Sequence, residues 1–182
     1  MDINSLVVDV TYASNIGEII RTSHVLNGGQ LYFYDPRGIL KKSVEEIKQF
    51  SCDLSNLKTY TVVKDIKKFL LKYPGRKIAT VISPQATFLP DFQFKGGDLV
   101  LFGNERVGLS SEVLGLCDHS VIVPMLGKPY TKTDYHPGKP IKGVGKYPTF
   151  KVSIVHGLVM YTALGKLGKF KNFQFGYWDL KL

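Results

Sequence analysis

The sequence predicts an α/β protein built on a mostly parallel sheet. Short, unbroken apolar runs rich in Val, Ile and Leu recur along it, as in strands buried on both faces. Segments with helical 3.6-residue periodicity alternate with those runs. Gly, Pro, Asn and Asp clusters punctuate the boundaries, and no repeat or linker divides the chain. Its 182 residues, 44% apolar and 21% charged, read as one domain, 1–182, large enough for a real core.

Residues 6–10 read as the first strand and 11–14 as a turn. Asn15 is placed to cap a helix running to about Leu26, with Ile16, Ile19, Ile20 and Ser23 on one face. Glu18, Arg21 and Thr22 lie elsewhere on that cylinder, free for polar work. Gly28-Gly29 ends the helix. The run 31–34 is a second strand, closed by Asp35-Pro36-Arg37-Gly38. Ser43, with Glu46 three residues on, has the capping-box pattern for a helix 43–50. A strand at 59–63, a Lys-rich helix at 64–72 and a strand at 77–82 follow. Residues 85–97 hold at most one small element.

The stretch 99–125 organises the chain. Leu99-Val100-Leu101-Phe102 is a buried strand that breaks at Gly103 into the polar turn Gly103-Asn104-Glu105-Arg106. Ser110 is an N-cap for a short helix, 111–116. Val121-Ile122-Val123 returns as a strand and stops at Pro124. A charged loop between two buried strands is where a parallel sheet places its ligand. Residues 126–148 then form a long basic loop: the four prolines and four glycines between Gly127 and Pro148 exclude regular structure. Thr149 opens the last long helix, to about Leu167, with Val152, Val155, Val159 and Ala163 on one stripe. The tail, 168–182, is aromatic and predicted to pack on the core or on a partner chain.

A net charge of +9 and a pI near 9.4 favour a polyanionic partner, nucleic acid first and a membrane surface second. The two cysteines, Cys52 and Cys117, sit in no zinc-type spacing, and Cys117-Asp118-His119 reads as a small buried thiol beside turn residues. No metal is expected. The start carries no basic leader and no run reaches the ~20 apolar residues of a spanning helix. The expectation is a soluble, cytoplasmic protein. No GxGxxG opens the first helix and no GxxxxGK[ST] occurs, so nicotinamide dehydrogenases and P-loop NTPases lose weight.

Three segments together resemble one family. Residues 15–22, Asn-Ile-Gly-Glu-Ile-Ile-Arg-Thr, resemble its N-x-G-x-x-x-R-T motif. Leu101–Glu105 with Gly108-Leu109-Ser110, then Val123-Pro124-Met125, resembles its second motif. Thr149-Phe150-Lys151-Val152-Ser153 resembles its third, usually S-[LM]-N-[VL]-S. The family is the SpoU/TrmH-type branch of the SPOUT RNA methyltransferases. The resemblance implies a C-terminal deep trefoil knot, a homodimer, S-adenosylmethionine as methyl donor and 2'-O-methylation of a ribose in tRNA or rRNA. By this likeness Thr80, Gly103, Val123 and Thr149 hold the cofactor, with Phe102, Met125, Phe150 and Val152 lining its pocket. Arg21, Asn15, Glu105, Thr149 and Lys151 are its candidate catalytic residues.

Those residues suit the chemistry. Methyl transfer from a sulfonium is an in-line displacement, so the protein mostly positions the reactants. Arg21 stays protonated, which fits a phosphate contact and stabilisation of charge on the attacking oxygen better than a role as base. Asn15 could orient Arg21 or the ribose, and Glu105 could hold a base edge or a basic partner. Taken singly, Asn15 is an N-cap, Arg21 a surface residue paired with Glu18, and Glu105 a turn residue; the three motifs together outweigh that. Lys151 stands where the family usually has asparagine. Three readings of it stay open: it points outward onto RNA phosphate, it replaces the amide with altered chemistry, or the enzyme is weak or inactive. The last would leave a SPOUT-fold RNA-binding protein. Arg106, Lys128, Lys132, Lys142 and Lys146, with Arg21, are the RNA-contact candidates.

Overall fold

Strand β1 (Asn4–Val8) has a neighbour on each side, β2 (Leu31–Tyr34) and β6 (Leu99–Phe102), both parallel to it. The computed structural model describes residues 2–57, 59–126 and 150–171. Among them the other strands are β3 (Tyr60–Val62), β4 (Lys77–Thr80), β5 (Thr87–Phe88) and β7 (His119–Ile122). All seven join one sheet in the order β3-β2-β1-β6-β4-β7-β5, and every pairing is parallel. The α/β fold class expected from the sequence is therefore observed.

Alternation along the strands explains the two-sided core. Successive strand side chains point to opposite faces. Ile3, Val7, Val100 and Phe102 join one apolar cluster; Leu6, Val8, Leu99 and Leu101 join the other. The first face is covered by α1 (Ala13–Leu26), α3 (Val44–Ser51) and α6 (Val152–Lys166), with α1 packed against both α3 and α6. The second is covered by α4 (Ile66–Lys72) and α5 (Ser111–Leu114). A strand covered on both faces can be apolar throughout, and all four residues of β6 are fully buried. The short α2 (Ile39–Lys42) precedes α3, and a 3₁₀ turn, Leu54–Leu57, follows it.

Several boundaries differ from expectation. Helix α1 starts at Ala13, so Asn15 is buried inside its first turn and is not the cap. The N-cap is Tyr12, whose side chain makes no capping bond. Ser43 makes no capping bond either, because it sits between α2 and α3 with its N–H on the Ile39 carbonyl. Asp35 caps α2 instead, accepting from the N–H groups of Ile39 and Leu40 at 3.0 and 2.8 Å. Ser110 caps α5 as expected, accepting from Val113 N–H at 3.3 Å. Asp65 caps α4 the same way, and β5 is the small element within 85–97. Helix α6 begins at Val152 with Lys151 as its N-cap, not at Thr149. Thr149, the basic loop with Lys128, Lys132, Lys142 and Lys146, and most of the aromatic tail lie outside the described residues.

Candidate active site at the switch point of the sheet

From β1 the chain steps outward through β2 to β3, then crosses to fill the opposite side of the sheet. The direction of winding therefore reverses between β1 and β6. The crevice at the C-terminal ends of strands, at such a reversal, is where open parallel sheets bind ligands. Val7 pairs with Phe102, so the segments leaving β1 and β6 emerge side by side. They are Asp9–Tyr12 and Gly103–Arg106.

Asn104 ties them together. Its Nδ2 donates to the Asp9 carbonyl at 2.6 Å and to Thr11 Oγ1 at 2.9 Å. Its Oδ1 accepts from the N–H groups of Arg106 and Val107 at 2.8 and 3.2 Å, an Asx-type turn. Gly103 makes the turn possible: a Cβ there would stand 2.6 Å from backbone atoms of Gly108 and Leu109. Asp9 has φ +53° and turns its carboxylate to Arg37, whose Nε and Nη2 bond it at 2.8 and 3.0 Å. Arg37 Nη1 reaches Thr11 Oγ1 at 3.2 Å, and these contacts with Asp9 raise the guanidinium pKa further.

Glu105 does what the absent cap of α1 leaves undone. Its carboxylate accepts from Thr11 N–H at 3.0 Å, Tyr12 N–H at 3.4 Å and Asn15 Nδ2 at 2.7 Å. A carboxylate at a helix N-terminus meets unpaired N–H groups and the positive end of the dipole. Among the described residues the Glu105 carboxylate is held by the start of α1. Asn15 Oδ1 faces Ser153 Oγ at 3.4 Å. That hydroxyl has one proton, and the much shorter contact to Glu18 Oε2 takes it. Glu18 is thus held by Ser153, and no ion pair with Arg21 forms among the described residues. Glu105→Ala is expected to lower stability by about 2–3 kcal/mol, since buried Asn15 and two N–H groups lose a charged acceptor. Glu105→Gln should recover part of that in urea unfolding; a Glu105→Ala loss below about 0.5 kcal/mol would show that the cap is unimportant.

The remaining candidates divide by exposure. Arg21 lies one turn beyond Glu18 on α1, is exposed, and bonds no other described side chain. Arg106 and Lys151 are also exposed. Thr80 Oγ1 is spent on the Leu101 carbonyl at 2.8 Å. Phe102 is fully buried with its ring 4.9 Å from that of His156, so its side chain belongs to the core rather than to a pocket lining. Val123 and Met125 are half-buried beyond the end of β7, Phe150 is 42% exposed and Val152 is buried. Strand order places the ends of β6, β4 and β7 side by side, with Thr80 in register with Val121.

Beneath the site, His156 is fully buried. Its Nε2 lies 3.2 Å from Ser5 Oγ and 3.3 Å from Ser23 Oγ, while Nδ1 has no partner among the described residues. Burial holds its pKa down to about 3. Cys117, pushed up to about 11 by burial, gives its thiol proton to the Val113 carbonyl. It is a half-buried thiol packed against the core, largely protonated and so weakly reactive, and no metal-binding group forms among the described residues.

The model of the SpoU rRNA Methylase family matches residues 3–129, well over half of the chain. The chain belongs to this family. It is 25% identical over 113 residues to the tRNA (guanosine(18)-2'-O)-methyltransferase of Escherichia coli K12, covering 62% of this chain and 49% of that protein. The chain thus spans about half the length of that curated relative. It superposes on a solved structure from work on the 2-OH methylation of C/U34 on tRNA, with TM-score 0.72, 23% identity, and 92% and 98% of the two chains covered. It also superposes on the SpoU methyltransferase AviRb of Streptomyces viridochromogenes in complex with AdoMet, at TM-score 0.65 and 21% identity, covering 90% and 57%.

The SpoU-family segments converge here. Asn15 and Glu18 come from the first, Glu105 from the second and Ser153 from the third; hydrogen bonds join Asn15 to Glu105 and Ser153 to Glu18, and helix α1 carries one member of each pair. Two residues that hold the site escape a reading of the sequence. Asn104 carries the faint signal of an Asx turn after glycine. Arg37 carries none, because its partners Asp9 and Thr11 lie on another strand end.

Proposed function

We propose that this chain is an S-adenosylmethionine-dependent RNA methyltransferase that modifies the 2'-oxygen of a ribose in tRNA or rRNA. The observation that carries the proposal is the meeting of the Glu105–Asn15 and Ser153–Glu18 pairs at the switch point, with exposed Arg21 one turn along. The activity for which the curated relative is named and the AdoMet complex of the structural neighbour support it. Half-buried Val123 and Met125, exposed Phe150 and the glycine turn at Gly103 suit an adenine ring and a methionine chain. With Thr80, Val152 and Thr149 they would hold the donor, which supplies a methyl group on a sulfonium.

The chain's own residues supply the rest. Arg21 binds the phosphate beside the target ribose and steadies negative charge as it grows on the 2'-oxygen. Glu105, Asn15 and Ser153 fix α1 so that Arg21 projects from a rigid base. Exposed Lys151 takes the first of its three readings, a phosphate contact, and Arg106 and the basic loop extend that surface. The molecule works as a homodimer: exposed Val25 on α1 and Ile154, Leu158 and Tyr161 on α6 form apolar surface on the packed helix pair that a second copy would cover. The C-terminal knot and a cytoplasmic location belong to the same proposal. No helix among the described residues is long and apolar enough to cross a membrane.

Titration with S-adenosylmethionine, then transfer of a labelled methyl group to bulk tRNA and rRNA with ribose analysis of the product, tests this. Saturable binding and a 2'-O-methyl nucleotide are expected. A folded protein that ignores the donor would overturn the proposal. Donor and RNA binding without transfer would assign the chain to the inactive RNA-binding alternative that Lys151 motivates.

A further inference from the structure

On the second face of the sheet, away from α1 and α6, a groove of about 990 Å³ runs between α4 and the β2–β3 edge. Its floor is an aromatic ladder. The ring of Tyr32 lies 4.9 Å from that of Phe69, which lies 5.8 Å from that of Tyr73. Tyr73 Oη is pinned by the Asn4 amide and by the Gly97 carbonyl, so the ladder is held from below. Gly75 and Gly97 close one end: a Cβ on Gly75 would meet the Gly97 carbonyl oxygen at 2.1 Å. Three lysines, Lys64, Lys68 and Lys72, line it and are exposed. Lys68 and Lys72 are four residues apart on α4, about 6 Å along its axis, with Lys64 just before the helix. The single acid, Asp65, is spent on capping Lys68 N–H. Neighbouring Lys67 pairs outward with Glu112.

We propose that this groove binds the sugar–phosphate backbone of the RNA substrate beyond the modified ribose. The inference rests on the RNA-directed function proposed above and adds a second contact surface to it. A row of ammonium groups without an ion-pair partner among the described residues, beside half-buried rings, is the arrangement by which proteins follow a nucleic-acid strand without reading its sequence. The groove starts at the C-terminal end of β3 and runs to the N-terminal ends of β1, β4 and β6, where Asn4, Gly75 and Gly97 lie. The catalytic segments leave β1 and β6 at their other ends. The strands put roughly 13–17 Å between those ends and the far end of the groove, while Lys64, which follows β3, lies at the same end of the parallel sheet as the catalytic segments. An RNA strand leaving the crevice can therefore follow the three lysines along α4 toward the far end. The groove also stays open in a dimer formed through α1 and α6.

The test uses the full chain and bulk tRNA, by fluorescence anisotropy across about 50–200 mM salt. Lys64→Gln/Lys68→Gln/Lys72→Gln should weaken tRNA binding at least tenfold at low salt. It should flatten the log–log salt dependence by about two. The matching triple Arg variant should bind like the parent. All three side chains are exposed, so thermal unfolding should not move. In methyl transfer the Gln variant should raise KM for tRNA and leave kcat and donor affinity unchanged. Parent-like tRNA affinity and salt slope in the Gln variant would overturn the inference, whether or not the enzyme transfers methyl groups. So would a loss confined to binding of phosphatidylserine vesicles. Absence of transfer by the parent, with lysine-dependent tRNA binding intact, would instead count against the catalytic reading alone.

Discussion

Arg21→Ala is expected to lower kcat for methyl transfer by about 10²–10³-fold, the usual cost of removing one preorganised donor from a developing oxyanion. The geometry separates this loss from misfolding. Arg21 is exposed and bonds no other described side chain, whereas the carboxylate three residues before it is occupied by Ser153. Deleting the guanidinium leaves no buried group without a partner, so stability should stay within about 0.5 kcal/mol of the parent. Donor affinity should also stay, because the residues assigned to it lie on β4, β6, β7 and the start of α6. Arg21→Lys keeps the charge and loses the planar fork, so it should recover part of the rate. A parent-like kcat in Arg21→Ala would remove Arg21 from the reaction. A rise in KM alone would recast it as an RNA anchor.

The parts of the molecule legible in the sequence are those set by local physics. The run Leu99–Phe102 must be buried on both faces, and it is. Ser110 precedes a short helix and caps it, because nothing else competes for Val113 N–H. Asn15 shows where local reasoning stops. Its residue type favours a cap, yet the helix starts three residues earlier than that cap would place it, and Glu105, 90 positions away, supplies an acceptor there. The same limit hides Arg37, whose role exists only once β1 and β2 are paired. Strand order is also long-range: nothing in residues 77–80 announces that they pass beyond β6. Residues of the three family-like segments meet in the fold although they are far apart in sequence. What the segments do not convey is that Glu105 and Asn15 bond each other.

Acid should destabilise this protein well before its carboxylates titrate. His156 has an ordinary pKa near 6.5 in the unfolded chain and about 3 in the folded one, where burial opposes its charge. Between those values the unfolded state carries a proton that the folded state refuses. The unfolded state therefore binds more protons, and stability falls as pH falls, by up to about 1.4 kcal/mol per pH unit. The full loss, on the order of 4 kcal/mol, would be reached near pH 3. That is a large part of the 5–15 kcal/mol typical of a domain. The shift has a visible cause: His156 lies under Phe102 with only two serine hydroxyls near Nε2 and no partner on Nδ1, so no group compensates a charge. Asp118, held below the usual carboxylate range by the Lys77 N–H and ammonium, contributes only at lower pH. Comparing the parent with His156→Leu removes such shared terms. The variant gives up the Nε2 contacts to Ser5 and Ser23 but carries no proton to exclude. Urea unfolding at pH 6.5 and 4.5 should show the parent losing about 2–3 kcal/mol more than the variant across that interval. A parent-minus-variant difference that does not change with pH would mean that His156 is protonated in the folded protein. It would then need a counter-charge that the described residues do not contain.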